Sequence, residues 1–249
     1  HSDGSFDRLS CESTGSGDHE AFLLLVDMFT EQAPAPAPRD ALVVFFRSLV
    51  RLFATEHARD VAAAREGLWG ELILMRGGRG FRFWMPSWHS EATRKFDFSA
   101  GSLRVEAKSV IGPLRVHHFG HRQLYAQPSE EILIASLLLR EEDAGLSLRE
   151  LIEECREAVR GTSDALKLES AVRSAGMEDP AEVGPRFDAS EAQQSLAWYR
   201  AEDAPHFRMA EPPGVTETRY RVDLSVAPRL EQEELDRWLA GWAPVPVAS

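Results

Sequence analysis

The sequence predicts an α/β domain, a β-sheet covered by helices, from the order in which hydrophobic periods change along the chain. Apolar residues recur at helical spacing before Gly77, at strand spacing between Lys95 and Leu139, and at helical spacing again after Ser147. With 249 residues, 43% hydrophobic and 27% charged, the chain can bury one substantial core with an appendage.

Residues 1–18 are rich in Ser, Gly and Asp and carry no core pattern. Ala21–Thr30 is apolar but too short for its period to decide between helix and strand. The alternating Ala-Pro run from Ala33 to Pro38 reads as an extended spacer, because each proline fixes its own φ and biases its predecessor away from helix. Asp40 is placed to cap a helix from Ala41 to about Ala54, where Leu42, Phe45, Phe46, Leu49, Val50 and Phe53 share one face. Residues 1–58 therefore read as a flexible and helical arm, and residues 59–249 as the main domain with a C-terminal strand-and-helix extension.

A helix from Arg59 to Arg76 carries Leu68, Leu72 and Met75 on one side and Glu71 near its end, and Gly77, Gly78 and Gly80 stop it. Gly67 and Gly70 inside it each cost about 1 kcal/mol relative to Ala, which implies that backbone or substrate comes close. Lys95–Phe98 and Leu103–Val110 read as strands joined by the turn Ser99-Ala100-Gly101-Ser102. Glu131–Leu139 is apolar on both faces, as a central strand should be. Ser147 and Glu150 form a capping box that opens a helix over Leu148–Val159. A further helix is expected over Thr162–Ala175. Ser195–Tyr199 with Phe207–Met209, then Thr216–Val226, read as a late strand pair, and Glu231–Leu239 as a closing helix.

Net charge is −12, which excludes a uniformly basic nucleic-acid coat while leaving room for a local basic groove. The two cysteines, Cys11 and Cys155, lack ligand spacing, so a zinc ribbon or disulfide scaffold is not expected. Apolar runs fall far short of the ~20 residues of a membrane span. With no leader pattern, a cytoplasmic location without membrane attachment is the expectation.

The chemistry concentrates in Gly101–Ser109. A strand has period two, so Leu103, Val105 and Ala107 face one way while Arg104, Glu106 and Lys108 face the other. Antiparallel pairing across the turn brings Asp97 alongside Glu106. Two carboxylates so placed repel unless a cation is shared, and an oxygen-only set with the Ala107 carbonyl suits Mg²⁺, with Mn²⁺ as a substitute. Lys108 beside them can orient a water or meet a phosphate. Alone, this triplet equally fits a solvated strand.

Gly67-Leu68-Trp69-Gly70-Glu71-Leu72, Trp84, Trp88, Lys95-Phe96-Asp97-Phe98, Val105-Glu106-Ala107-Lys108, His118 and Gln123-Leu124 together resemble the PD-(D/E)XK nuclease superfamily, in particular its restriction-endonuclease-like members near phage-defence genes. The likeness is clearest over residues 60–160, and Phe96 stands where a Pro is usual. It implies a restriction-endonuclease-like mixed central sheet flanked by helices and Mg²⁺-dependent DNA cleavage. Asp97, Glu106 and Lys108 would act at the metal, with Glu71 reaching the same region and Gln123 near bound DNA. Cleaving both strands of a duplex needs two sites, so a homodimer or a multi-protein defence complex is expected.

Arg115, His117, His118, His121 and Arg122 form the most basic stretch, and Arg115, His117, His118 and Arg122 in it are expected to contact DNA. Arg76, Arg79, Arg82, Arg94 and Lys95 could extend that groove. The rival readings are a catalytically inactive nuclease-fold subunit, structural or DNA-binding, and a nuclease acting on RNA or on branched or single-stranded DNA.

Overall fold

The computed structural model describes residues 61–89, 95–215 and 217–242, with the isolated positions 23, 26, 27, 43 and 45. Apart from those positions, the expected Ala21–Thr30 segment, the proline spacer, the Ala41–Ala54 helix and Arg94 lie outside the described residues.

Helix α1 (Val61–Arg76) leads through α2 (Phe81–Trp84) and a 3-10 turn to the hairpin β1 (Phe98–Ala100) and β2 (Leu103–Ile111). Strand β3 (Val116–Gly120) and the short α3 (His121–Leu124) precede β4 (Glu131–Leu139). Then come β5 (Glu141–Ser147), α4 (Leu148–Val159), α5 (Ala165–Ser174), β6 (Arg186–Phe187), α6 (Ala189–Ser195) and β7 (Ala197–Arg200). Strand β8 (Arg219–Asp223) and α7 (Gln232–Ala240) complete the order.

The central sheet runs β1-β2-β4-β7. Its outer strands are antiparallel to their neighbours and the β2–β4 pair is parallel, so the sheet is mixed and matches the restriction-endonuclease-like arrangement. A parallel pair cannot close through a tight turn. The crossover between β2 and β4 carries β3 and α3, and β3 pairs with β8 in a separate antiparallel ribbon.

The period-two pattern of β2 and β4 separates two cores. Leu103, Val105, Leu133 and Leu137 pack with Trp69 and Leu72 of α1 and with Leu151 and Ile152 of α4. On the other face, Ile132 and Ile134 pack with Phe96, Phe119, Tyr199 and Val222 beneath the β3–β8 ribbon. Glu106 is aligned with Ile134, and Lys108 with Ser136, so the acid and the amine share this second face.

Local chemistry fixes the helices. Ser147 Oγ accepts from the Glu150 N–H at 3.2 Å, and Glu150 Oε2 accepts from the Ser147 N–H at 2.8 Å, the reciprocal cap that starts α4. A Cβ on Gly70 would stand 2.8 Å from Ser109 Oγ, so this glycine lets α1 lie directly on β2. Gly67 meets nothing within 4 Å, so the close approach belongs to Gly70 alone.

Several boundaries differ from expectation. Ser99 and Ala100 are ladder residues paired with Arg104 and Leu103, and Gly101, at φ +56°, makes a tighter turn with Ser102. Phe207–Met209 is not a strand, and β8 pairs with β3 instead of with residues 195–199, whose strand joins β4. Strands β5 and β6 were hidden because Glu141-Glu142-Asp143 has the composition of a solvated turn.

Candidate active site

The β1–β2 register pairs Phe98 with Val105, and one step further places Asp97 opposite Glu106. Asp97 Oδ2 accepts the Ala107 N–H at 2.8 Å. A strand residue points its N–H and C=O to the same side, so the Ala107 carbonyl also opens toward Asp97, just beyond the start of β1.

Glu106 is 3% exposed. Its Oε1 takes both the Lys108 Nζ at 2.7 Å and the Gln123 Nε2 at 2.6 Å. Its Oε2 is buried and accepts no hydrogen bond. The Asp97 amide lies close enough to draw the Glu106 pKa down without reaching hydrogen-bond geometry to Oε2. Gln123 is itself fixed, its Oε1 accepting from the Gly120 N–H at 2.9 Å.

Glu71 comes from α1. Its Oε2 accepts from the indole N–H of the fully buried Trp88 at 2.6 Å. Lys108 Nζ stands 5.2 Å from the centre of the buried Phe119 ring, within cation–π range.

These groups titrate as one electrostatic unit. Burial raises the Glu71 pKa to about 7, with Glu106 adding to it and the Trp88 bond and Lys108 opposing. Asp97 is raised well above the usual carboxylate range by burial and by the charges of Glu106 and Glu71. Glu106 is raised by burial and held back by Lys108. Burial alone would lower Lys108, but Glu106, Asp97 and Glu71 outweigh it and keep the amine protonated. The cost of crowding three acids is therefore expressed as retained protons.

Among the described residues, no three His, Cys, Asp or Glu side chains converge as a metal cage. Mg²⁺ does not require one, since it commonly takes one or two carboxylates and keeps several waters.

A family model described as "Putative PD-(D/E)XK family member, (DUF4420)" matches residues 7–225. The chain belongs to this family. No curated protein and no solved structure matches it. Glu106-Ala107-Lys108 has the (D/E)XK form in the family's description, and it meets Asp97, preceded here by Phe96 in place of Pro, across one hairpin.

The basic residues divide differently from expectation. Arg115 and His117 are buried, 6% and 3% exposed, and both bond Ser136 Oγ, at 2.9 and 2.8 Å. Burial and the nearby Lys108, Arg115 and His118 lower the His117 pKa to about 4, so it is neutral at physiological pH. Both side chains, expected at a DNA surface, thus lie inside the fold and brace β3 against Ser136 of β4. His118 and Arg122 face solvent, with Arg122 76% exposed. Arg76 and Arg82 bond α4 through Glu154 Oε2 and the Ala158 carbonyl, and Lys95 pairs with Glu130. Sequence reasoning missed Trp88 and Phe119 as supports of Glu71 and Lys108. Strand period placed Phe119 on the face of His117, a usable signal, whereas nothing local marks the target of the Trp88 N–H.

Proposed function

We propose that this protein is a divalent-metal-dependent endonuclease that hydrolyses DNA phosphodiester bonds, using Mg²⁺ or Mn²⁺, in restriction or anti-phage defence. The observation that carries this reading is the buried, unpartnered Glu106 Oε2 beside Asp97. An unsatisfied buried carboxylate oxygen costs about 1–3 kcal/mol or more, and a cation shared with Asp97 offsets it. Asp97, Glu106 and the Ala107 carbonyl form an all-oxygen set, which selects Mg²⁺ or Mn²⁺ over zinc.

A metal there supplies a water of lowered pKa and a Lewis acid for charge developing on the phosphate. The chain's own residues do the rest. Lys108, charged and seated over Phe119, orients the attacking water or meets a phosphate oxygen. Gln123 holds Glu106 in one rotamer. Glu71, held by Trp88 and titrating near pH 7, can accept a proton on its other oxygen. One chain offers one such site, so cutting both strands calls for a second copy or a partner within a defence complex.

The test is cleavage of plasmid and linear DNA by wild type and Lys108→Ala with Mg²⁺, Mn²⁺ or chelator. Metal-dependent nicking that falls by about 10²–10³-fold in the variant is expected. A folded wild type that neither binds Mn²⁺ nor cleaves would leave the inactive-subunit reading in its place.

A further inference from the structure

The chain carries a net charge of −12, so a DNA site must come from locally uncompensated cations. The basic groups nearest in sequence to the hairpin are already committed, Arg115 inside the fold and Lys95 with Arg104 on Glu130. The β3–β8 ribbon supplies others. Its register sets His118 opposite Arg221 and Gly120 opposite Arg219.

Burial alternates along both strands of the ribbon. His117, Phe119 and Val222 turn inward, with Tyr220 partly covered, while His118, Arg219 and Arg221 are exposed. Arg122 extends the same basic run immediately after β3. Arg221 has no carboxylate partner among the described residues. Among the described residues, Arg219 is held only by Glu217, two residues away, and Arg122 only loosely by Glu211 at 3.6 Å. Asp223, opposite Val116 at the far end, is the acidic exception, and its carboxylate is engaged by the Ser225 N–H. Surface pairs of this kind are worth at most about 1 kcal/mol, so a phosphate can displace them.

The ribbon also touches the site. Phe119, between His118 and Gly120, lies under Lys108, and α3, which continues directly from β3, sends Gln123 to Glu106 at 2.6 Å. Packed sheets lie on the order of 10 Å apart, and the ribbon is the layer that covers the sheet face carrying Lys108. Phosphates on one DNA strand recur every ~3.4 Å of helix axis. A backbone whose scissile phosphate reaches Lys108 therefore passes the ribbon within a few nucleotides.

Resting on the nuclease reading above, we infer that the outer face of the β3–β8 ribbon, through Arg221, Arg219, His118 and Arg122, is the track that holds the DNA backbone flanking the scissile phosphate. These contacts position the duplex and carry no base specificity. Arg219 and Arg221 lie about a hundred positions from the basic stretch in sequence, and only the ribbon's register joins them to it.

The experiment measures duplex binding by fluorescence anisotropy across a salt series, with Ca²⁺ present to prevent turnover. Arg219→Ala/Arg221→Ala should weaken binding at least tenfold and lower the salt slope by about 2, one unit for each phosphate no longer neutralised. Arg221→Glu should weaken it further. Arg160→Ala, which removes an exposed cation from the far end of α4, serves as the charge control and should bind as wild type does. Thermal melting of each variant confirms folding. Equal affinity and slope for wild type and the double variant overturn the track. Manganese-dependent hydrolysis of bis(p-nitrophenyl) phosphate by wild type tests the nuclease reading separately. A protein that hydrolyses this small diester but binds no duplex keeps its chemistry and loses the ribbon assignment.

Discussion

Asp97 shows how much of the site's character is set by a single side chain. Burial and two neighbouring acids raise its pKa, so the metal-free fold keeps it protonated below that pKa and holds its charge at a cost above it. Asp97→Asn keeps an oxygen for the Ala107 N–H and removes the charge. At alkaline pH, where the wild-type carboxylate is charged, the metal-free variant should therefore melt higher than wild type, by about 2–4 °C for each kcal/mol relieved in a protein of this size, while metal-dependent cleavage disappears. Differential scanning fluorimetry with chelator checks the first half and plasmid nicking the second. An unchanged or lower melting temperature would show that the carboxylate is not strained in the fold. Opposite signs for stability and activity are expected of a residue selected for chemistry.

At the level of elements, α1 and the hairpin are joined through one glycine, and the sequence half-disclosed it. Gly67 and Gly70 look alike as helix breakers, yet only Gly70 has β2 against it. Gly67→Ala should therefore stabilise by about 0.5–1 kcal/mol through helix propensity. Gly70→Ala should destabilise by about 1–3 kcal/mol as the new methyl drives Ser109 and β2 away from α1, and should cost activity because Glu71 is the next residue on α1. Urea melts of the two variants decide it, and a stabilised Gly70→Ala would contradict the packing. Strands and helices whose patterns are local, such as the Ser147–Glu150 cap and the doubly apolar β4, were legible in the sequence to within a residue or two. The Asp97–Glu106–Lys108 grouping was legible too, since a hairpin and period two suffice to assemble it. The partnership of β3 with β8 was not, because residues a hundred positions apart pair through tertiary contacts that no local period encodes. The inward placement of Arg115 and His117 was hidden for the same reason: their polarity suggested solvent, but Ser136 of β4 lies beneath them.

At the scale of the whole molecule, proton binding and metal binding compete for one cluster, and the sign of the competition is fixed by the direction of the shifts. Asp97 and Glu106 are raised, and Glu71 is raised to about 7. An acid whose folded pKa exceeds its unfolded value binds more protons in the folded state. It therefore stabilises the metal-free fold as pH falls through the folded pKa, and that stabilisation is lost as pH rises past it. His117 works the other way: lowered to about 4, it stays neutral in the fold while the unfolded chain takes up a proton below ~6.5, so it removes stability on the acid side. A divalent ion binds the deprotonated carboxylates, so the stabilisation it gives must grow as pH rises through the raised pKa values of Asp97 and Glu106. The increase in melting temperature on adding 10 mM Mg²⁺, on the order of a few degrees for tens to hundreds of Kd, should be larger at pH 8.5 than at pH 6. It should vanish at both pH values in Asp97→Asn. A shift independent of pH in wild type, or retained in the variant, would place the ion somewhere other than between Asp97 and Glu106.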